Sequence, residues 1–312
     1  MNGQPLVSVI IPTYKRKDKL RRLLNSLLES DYPKDKMEII VVVDADGEDY
    51  SDIIREFPVV RFIFNENEKF LAESRNIGIR SSKGEYLFII DDDNVVDRRC
   101  IVELIKFMEN NPEVGIAGPI MYYYKNPQRI WCAGIKRNYY TSLTRFVGRD
   151  EIDNGQFSKP IPSEDFPNAF MIKKSVIDRV GYFDSKNFPI HYDEADFCKR
   201  AFLAGYKICL VPSAKVWHDI PLPEEIKEKA RFFHIHNEFR AYYAGRNRMV
   251  FHKKYSKRHQ WIIFLFIFNW IITAYYVTII IFGSKQPLKK RISILKSYLK
   301  GVMGGLKWRN YS

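Results

Sequence analysis

The chain has 312 residues, with 50 Lys and Arg against 37 Asp and Glu, a net charge of +13. Hydrophobic residues make up 46% and aromatics 15%, which excludes a disordered chain. The charge is uneven: residues 224–312 hold 18 basic and four acidic residues, so the rest is close to neutral. A basic tail, rather than a nucleic-acid-binding domain, accounts for the high isoelectric point.

Four widely spaced cysteines, Cys100, Cys132, Cys198 and Cys209, form no CxxC pair. That argues against a zinc ribbon or a disulfide scaffold and fits a reducing compartment. The apolar run at residues 6–11 is too short for a signal peptide and lacks a basic lead. The first domain is therefore expected in the cytosol.

Short apolar strands alternate with helical patterns over the first ~120 residues, the signature of a parallel α/β sheet. Residues 6–12 read as a strand, followed by Leu20, Leu23, Leu24, Leu27 and Leu28 on one helical face. Residues 38–43 are a second strand ending in Asp44, and 59–64 a third. A helix is expected over 70–82 and a fourth strand over 86–90, running straight into Asp91, Asp92 and Asp93. Acidic residues thus follow two strands at their C-terminal ends, where open α/β sheets bind ligands. From residue 122 the pattern loosens, with aromatics that could stack on sugars or fill a loop core. A helix at 193–205 and strands at 207–211 and 215–218 follow.

Three adjacent carboxylates repel one another, so a fold tolerates them best with a cation beside them. Asp91 and Asp93 are two apart and can point the same way in an extended segment. Their hard oxygens suit Mg²⁺ or Mn²⁺ bridging to substrate phosphates. The cluster could equally cap the helix that follows. Asp193, Glu194 and Asp196 open the helix at 193–205; such carboxylates complement a helix dipole, and one could also serve as a general base. His218 ends a strand and is a metal-ligand candidate. No P-loop and no GxGxxG is present. His234 and His236, two apart, would diverge on a helix.

Together these motifs resemble, in order, those of the family 2 glycosyltransferases, inverting enzymes that use nucleotide sugars. The resemblance covers about residues 6–220. It implies a GT-A type fold, a Rossmann-like, mostly parallel sheet with helices on both faces. VSVIIPTYKR is similar to that family's first strand and loop, placing Pro12, Thr13 and Tyr14 at the nucleotide sugar. EIIVVVDADGED resembles its second strand, which implies that Asp44, with Asp46 nearby, reads the nucleobase. LAESRNIGIRSSKGEYLFIIDDDN resembles the stretch leading into the DxD motif. By that likeness Arg75, Asp91 and Asp92 contact the nucleotide sugar, and Asp93, with His218, holds a divalent metal. HYDEADFCKR resembles the acceptor region, with the base in the pair Asp193 and Glu194, and Asp196 and Arg200 on the acceptor side. The family usually has Asp where this chain has Glu194, which is the favoured base.

The resemblance implies a metal-dependent transfer from a UDP-, dTDP- or GDP-linked sugar to a hydroxyl on a glycan or lipid-linked acceptor, with no nucleic acid involved. Residues 1–223 would be the catalytic domain, with a nucleotide-sugar-binding half at 1–120 and an acceptor half at 121–223. A polyprenyl-phosphate glycosyl synthase is the nearest chemical alternative, and a non-enzymatic basic membrane adaptor is the alternative of another class. A processive synthase is disfavoured because no QxxRW occurs.

Residues 224–260 read as basic juxtamembrane helices, 261–283 as a membrane segment and 284–312 as a basic C-terminal tail. The membrane segment carries no charge, and its 22 residues 261–282 would span about 33 Å as a helix, enough to cross a bilayer. Lysines and arginines flank it on both sides, however, and the positive-inside rule places both flanks in the cytosol. A crossing helix and a re-entrant or in-plane helix therefore both remain open. Either way the enzyme is expected at the cell membrane, its catalytic domain on the cytoplasmic side and its tail on membrane lipids. RAYYAGRNRMVF and GVMGGLKWRN resemble a membrane-associated, rhamnosyltransferase-like branch.

Overall fold

The structure, a computed structural model, describes residues 3–309. Residues 1–2 of the expected catalytic domain and 310–312 of the expected tail lie outside the described residues.

Strand β1 (Val7–Thr13) is buried along its whole length, as suits a strand covered on both faces. It leads into α1 (Lys17–Leu28), where Leu20, Leu23, Leu24 and Leu27 are fully buried at helical spacing. Each such side chain contributes roughly 1.5–3 kcal/mol. The alternation continues through β2 (Met37–Val43), α2 (Ser51–Glu56), β3 (Val60–Phe64), α3 (Phe70–Ser81) and β4 (Tyr86–Ile90). β1 lies parallel to both β2 and β4, and β2 parallel to β3. The acidic residues expected at strand ends therefore share one end of one parallel sheet.

Beyond β4 come β5 (Asn94–Val96), α4 (Cys100–Asn110), β6 (Val114–Tyr123), β7 (Asn126–Cys132), β8 (Ile135–Arg137) and β9 (Thr144–Phe146). They are followed by β10 (Ile161–Pro162), β11 (Ala169–Lys173), α5 (Lys174–Val180), α6 (Asp193–Leu203) and β12 (Lys207–His218). The main sheet runs β10-β12-β6-β11-β4-β1-β2-β3, with β5 on β12 and β7 on β6, while β8 and β9 form a separate two-stranded sheet. It is parallel from β3 to β4 and mixed beyond, because β11 is antiparallel to both β4 and β6. No crossover helix separates β9 from β11, and a strand reached by loops alone can return in the opposite sense. The two strands expected at 207–218 are one, β12, with register shifts between Val211 and Lys215. Tyr122 and Tyr123 are buried and donate their hydroxyls to Asp153 and Asp150, so this aromatic pair belongs to the core.

The described residues group into two compact units. The first runs to Lys136 and includes Phe146–Asp184 and Glu194–Ile220; the second holds Arg137–Arg145, Ser185–Asp193 and the chain from Pro221 onward. In the second unit lie α7 (Lys229–Phe232), α8 (Glu238–Tyr255), α9 (Arg258–Ile263), α10 (Asn269–Phe282) and α11 (Leu288–Lys307). A π-type turn over Phe264–Phe268 joins α9 and α10 into one helix, Arg258–Phe282. The Asn237 side chain accepts from the Arg240 amide and caps α8. α8 and α11 lie close because glycines occupy their crossing. A Cβ on Gly301 would strike the Tyr242 carbonyl oxygen, and one on Gly245 would crowd that of Tyr298.

Candidate active site

The first unit brings most of the expected site residues together at the C-terminal ends of β1, β2 and β4. Asp91, Asp92 and Asp93 leave β4, and three neighbours contact the second and third of them. Thr13 at the end of β1 donates to Asp92 Oδ2 at 2.7 Å. Arg16 Nη1 lies 3.1 Å from Asp92 Oδ1 and 2.7 Å from Asp93 Oδ2. His218 Nε2 lies 3.3 Å from Asp93 Oδ1. Sheet register delivers the histidine: β5 pairs antiparallel with the end of β12, setting His218 opposite Asn94. The Asp219 amide then donates to the Asp93 carbonyl at 2.8 Å.

Arg75, fully buried on α3, links the cluster to α6. Its Nη2 lies 2.8 Å from Asp91 Oδ1 and its Nη1 2.8 Å from Glu194 Oε1. One planar guanidinium thus fixes two carboxylates from different elements. Asp193, beside Glu194 in sequence, is fully buried and groups with the second unit.

Crowding sets the electrostatics. Burial pushes the Asp92 carboxyl up to about 7, aided by Asp93 and Asp91 and opposed by Arg16 and Thr13. Burial also raises Asp93, but His218, Arg16 and Lys19 outweigh it and hold that carboxyl well below the usual range. Burial raises Asp91 too, with Arg75 opposing and Asp93 and Glu194 reinforcing. The cluster carries more carboxylate than its local cations neutralise, the condition that favours a further cation.

Asp93 and His218 supply a carboxylate and an imidazole side by side. The buried His218 Nδ1 has no hydrogen-bond partner among the described residues. Among those residues no three His, Cys, Asp or Glu side chains converge on one point. A site with so few protein ligands suits Mg²⁺ or Mn²⁺, which take much of their coordination from substrate phosphates and water. The donor set therefore fits such an ion.

The remaining expected residues are placed differently. Asp44 accepts from the amides of Lys69 and Phe70 at 2.7 and 2.8 Å and from Asn65 Nδ2 at 2.9 Å, anchoring the start of α3. Asp46 accepts from the Lys15 and Glu48 amides and from the Tyr50 hydroxyl. Burial would raise its carboxyl, but those donors outweigh it and hold it below its ordinary value. Asp46 lines a hollow of about 300 Å³ with Gly47, Glu48, Phe64, Asn65 and Glu66. Pro12 is buried in β1, whereas Tyr14 is exposed just beyond it. Lys15 (φ 55°) and Ala45 (φ 42°) adopt left-handed backbone at these strand ends, a strain typical of ligand-binding turns. Asp196 accepts from Arg200 Nε at 2.9 Å, while Arg200 also donates to the Val180 and Tyr182 carbonyls. That pair clamps the α5–α6 connection.

Arg16 was not legible as a site residue, although its position directly after a strand end in YKR was a signal. Lys19 and Arg22 were missed as well; they hold Asp219 at 3.2 and 2.6 Å, steadying the segment that follows His218.

The profile described as "Glycosyl transferase family 2" matches residues 8–180. A probable glycosyltransferase, YdaM, of Bacillus subtilis is 25% identical over 234 residues, 71% of this chain and 52% of that protein. The chain thus spans about half the length of that relative. Glycosyltransferase AglE of Haloferax volcanii is also 25% identical, over 73% of this chain and 71% of its own length. Among solved structures, the mannosyltransferase PcManGT of Pyrobaculum calidifontis, in complex with GDP-Man and Mn²⁺, superposes with a TM-score of 0.60. At 15% identity the match covers 98% of this chain and 88% of that one, which establishes a shared GT-A type fold. S. aureus TarS (residues 1–349) gives 0.55 at 16% identity over 98% and 93%. The profile takes in the acidic cluster, Arg75 and the parallel half of the sheet, more than half of the chain in all, and on that ground the protein belongs to glycosyl transferase family 2.

Proposed function

We propose that the chain is an inverting glycosyltransferase that moves a sugar from a nucleoside diphosphate donor, UDP-, dTDP- or GDP-linked, to an acceptor hydroxyl. The observation that carries this reading is the Arg75 bridge. It holds Glu194, a carboxylate suited to take a proton, one guanidinium away from the acidic cluster suited to a metal diphosphate. The hollow beside Asp46 and Phe64 is the base pocket in this reading, its acidic lining suited to ring N–H donors. Asp93 and His218 would hold Mg²⁺ or Mn²⁺, which when bound offsets the charge growing on the leaving diphosphate.

Glu194 accepts the acceptor's hydroxyl proton as its oxygen bonds the anomeric carbon. The bond from that carbon to the diphosphate oxygen breaks on the opposite face, so configuration inverts. Arg75 keeps the Glu194 carboxylate aimed while the proton moves. The assignment of Glu194 over Asp193 rests on this contact, and Asp196 and Arg200 support the helix that carries it. A lipid-linked or membrane-proximal glycan is the proposed acceptor, with the catalytic unit on the cytoplasmic side. The apolar helix and the basic character of residues 224–312 support that placement.

The test is Glu194→Gln, which keeps the size and one hydrogen-bond acceptor for Arg75. Transfer should fall about 10²–10⁴-fold, the usual worth of a general base, with nucleotide-sugar binding unchanged by calorimetry. Full turnover in that variant would overturn the base assignment and favour a phosphate acceptor, which needs no deprotonation.

A further inference from the structure

The helix Arg258–Phe282 is long and apolar enough to cross a bilayer, yet its two faces differ along its length. On one face Ile262, Phe266, Trp270, Ile271, Tyr275 and Phe282 are exposed, Phe266 by 70% and Phe282 by 81%. The other face is locked into the second unit. His252 of α8 stacks on Phe264 with ring centroids 4.0 Å apart. Arg248, also on α8, donates from Nη2 to Asn269 Oδ1 and Thr273 Oγ1, both at 3.2 Å. This pairing answers the only strongly polar interruption of the apolar run.

α11 runs back beside α10. Arg291 Nη1 donates to the Ile281 carbonyl at 2.7 Å, and Tyr298 stacks on Tyr276 at 5.5 Å. That antiparallel pairing brings Lys300 level with about residue 273, within ~5 Å along the axis of the midpoint of the apolar helix. Arg248 is joined to the same level. A crossing helix would therefore carry a buried arginine and an exposed lysine to mid-bilayer, where cations are strongly disfavoured.

The exposed side of α11 carries its own pattern. At ~100° per residue, Leu288, Ile292, Leu299 and Met303 fall within a strip about 60° wide. Lys289, Lys296, Lys300 and Lys307 form the adjoining row, and all eight are exposed. An apolar strip edged by a lysine row is the pattern of a helix lying at a bilayer surface.

We propose that these helices lie in the plane of an anionic phospholipid surface without crossing it. The exposed stripe of Arg258–Phe282 enters the boundary between headgroups and acyl chains, and the lysine row of α11 engages the headgroups. Charge complementarity identifies the occupant: residues 224–312 concentrate 18 basic residues against four acidic ones, whereas a second copy would bring the same positive charge. Both basic flanks then stay on one side, the arrangement that the positive-inside rule favours. The inference is independent of the sugar-transfer reading.

The test uses the full chain with phosphatidylcholine vesicles, with and without phosphatidylglycerol. Binding should require phosphatidylglycerol and fall about fivefold for each of Lys296→Gln and Lys300→Gln. Phe266→Glu should abolish binding without lowering the melting temperature, because that side chain is exposed. Membrane-impermeant maleimide should label Lys257→Cys and Lys285→Cys from the same side of sealed native membranes, above the background of the unsubstituted chain. Labelling from opposite sides would overturn the proposal in favour of a crossing helix. A chain that ignores both vesicle types, or that buries the stripe as a soluble dimer, would overturn it in favour of a protein partner.

Discussion

Arg16 and Arg75 answer one electrostatic problem at different carboxylates. Arg16 neutralises Asp92 and Asp93, and Arg75 neutralises Asp91 while fixing Glu194. Asp92 is nonetheless left easily protonated, since burial and two neighbouring carboxylates raise it to about 7. An unfolded Asp titrates near ~3.9, so between those values the folded chain binds the extra proton. The stability from this group is complete below about pH 4 and is lost as pH rises through about 7. Asp92→Asn keeps the neutral form at every pH. In metal-free buffer its melting temperature should rise relative to the parent's as pH goes from about 4 to 8. A difference that does not change with pH would contradict the assignment. At this scale the acidic residues were legible because apolar strands run directly into them. The basic partners were not, since Arg16 reaches Asp92 across 76 positions and Arg75 reaches Glu194 across 119. No local pattern records such pairings.

Elements place these side chains, and Asp44 shows how a strand-end residue can serve the fold. Its two oxygens take the amides of Lys69 and Phe70 together with Asn65, tying β2 to the first turn of α3, the helix that carries Arg75. Asp44→Ala leaves all three donors without their acceptor, at a cost of about 2–4 kcal/mol, measurable by urea denaturation. A loss below about 0.5 kcal/mol would mean the anchor is idle. β1, β2, β4 and the leucine face of α1 were legible from periodicity alone. The antiparallel insertion of β11 was not, because its residues AFMIK carry no mark of direction and long-range pairing decides it. Continuity of β12 through residues 211–215 was hidden in the same way, by an irregularity that the sheet absorbs.

At the scale of the whole molecule, charge and apolar surface are divided unevenly along the chain. The first 223 residues are nearly neutral and include the acidic cluster that follows β4. Residues 224–312 hold the positive excess and the exposed apolar helix. Composition alone made this division legible, whereas the packing of the apolar helix against α8 and α11 shows only in the contacts of Arg248 and Tyr298. The central claim is that the acidic cluster binds a nucleotide sugar together with a divalent ion. Its most direct test is the melting temperature of parent and Asp93→Ala protein with UDP-, dTDP- and GDP-sugars, each with Mn²⁺ or with EDTA. At least one donor should stabilise the parent only when Mn²⁺ is present, and Asp93→Ala should abolish that shift. Failure of every donor, or an equal shift in the variant or in EDTA, would contradict it.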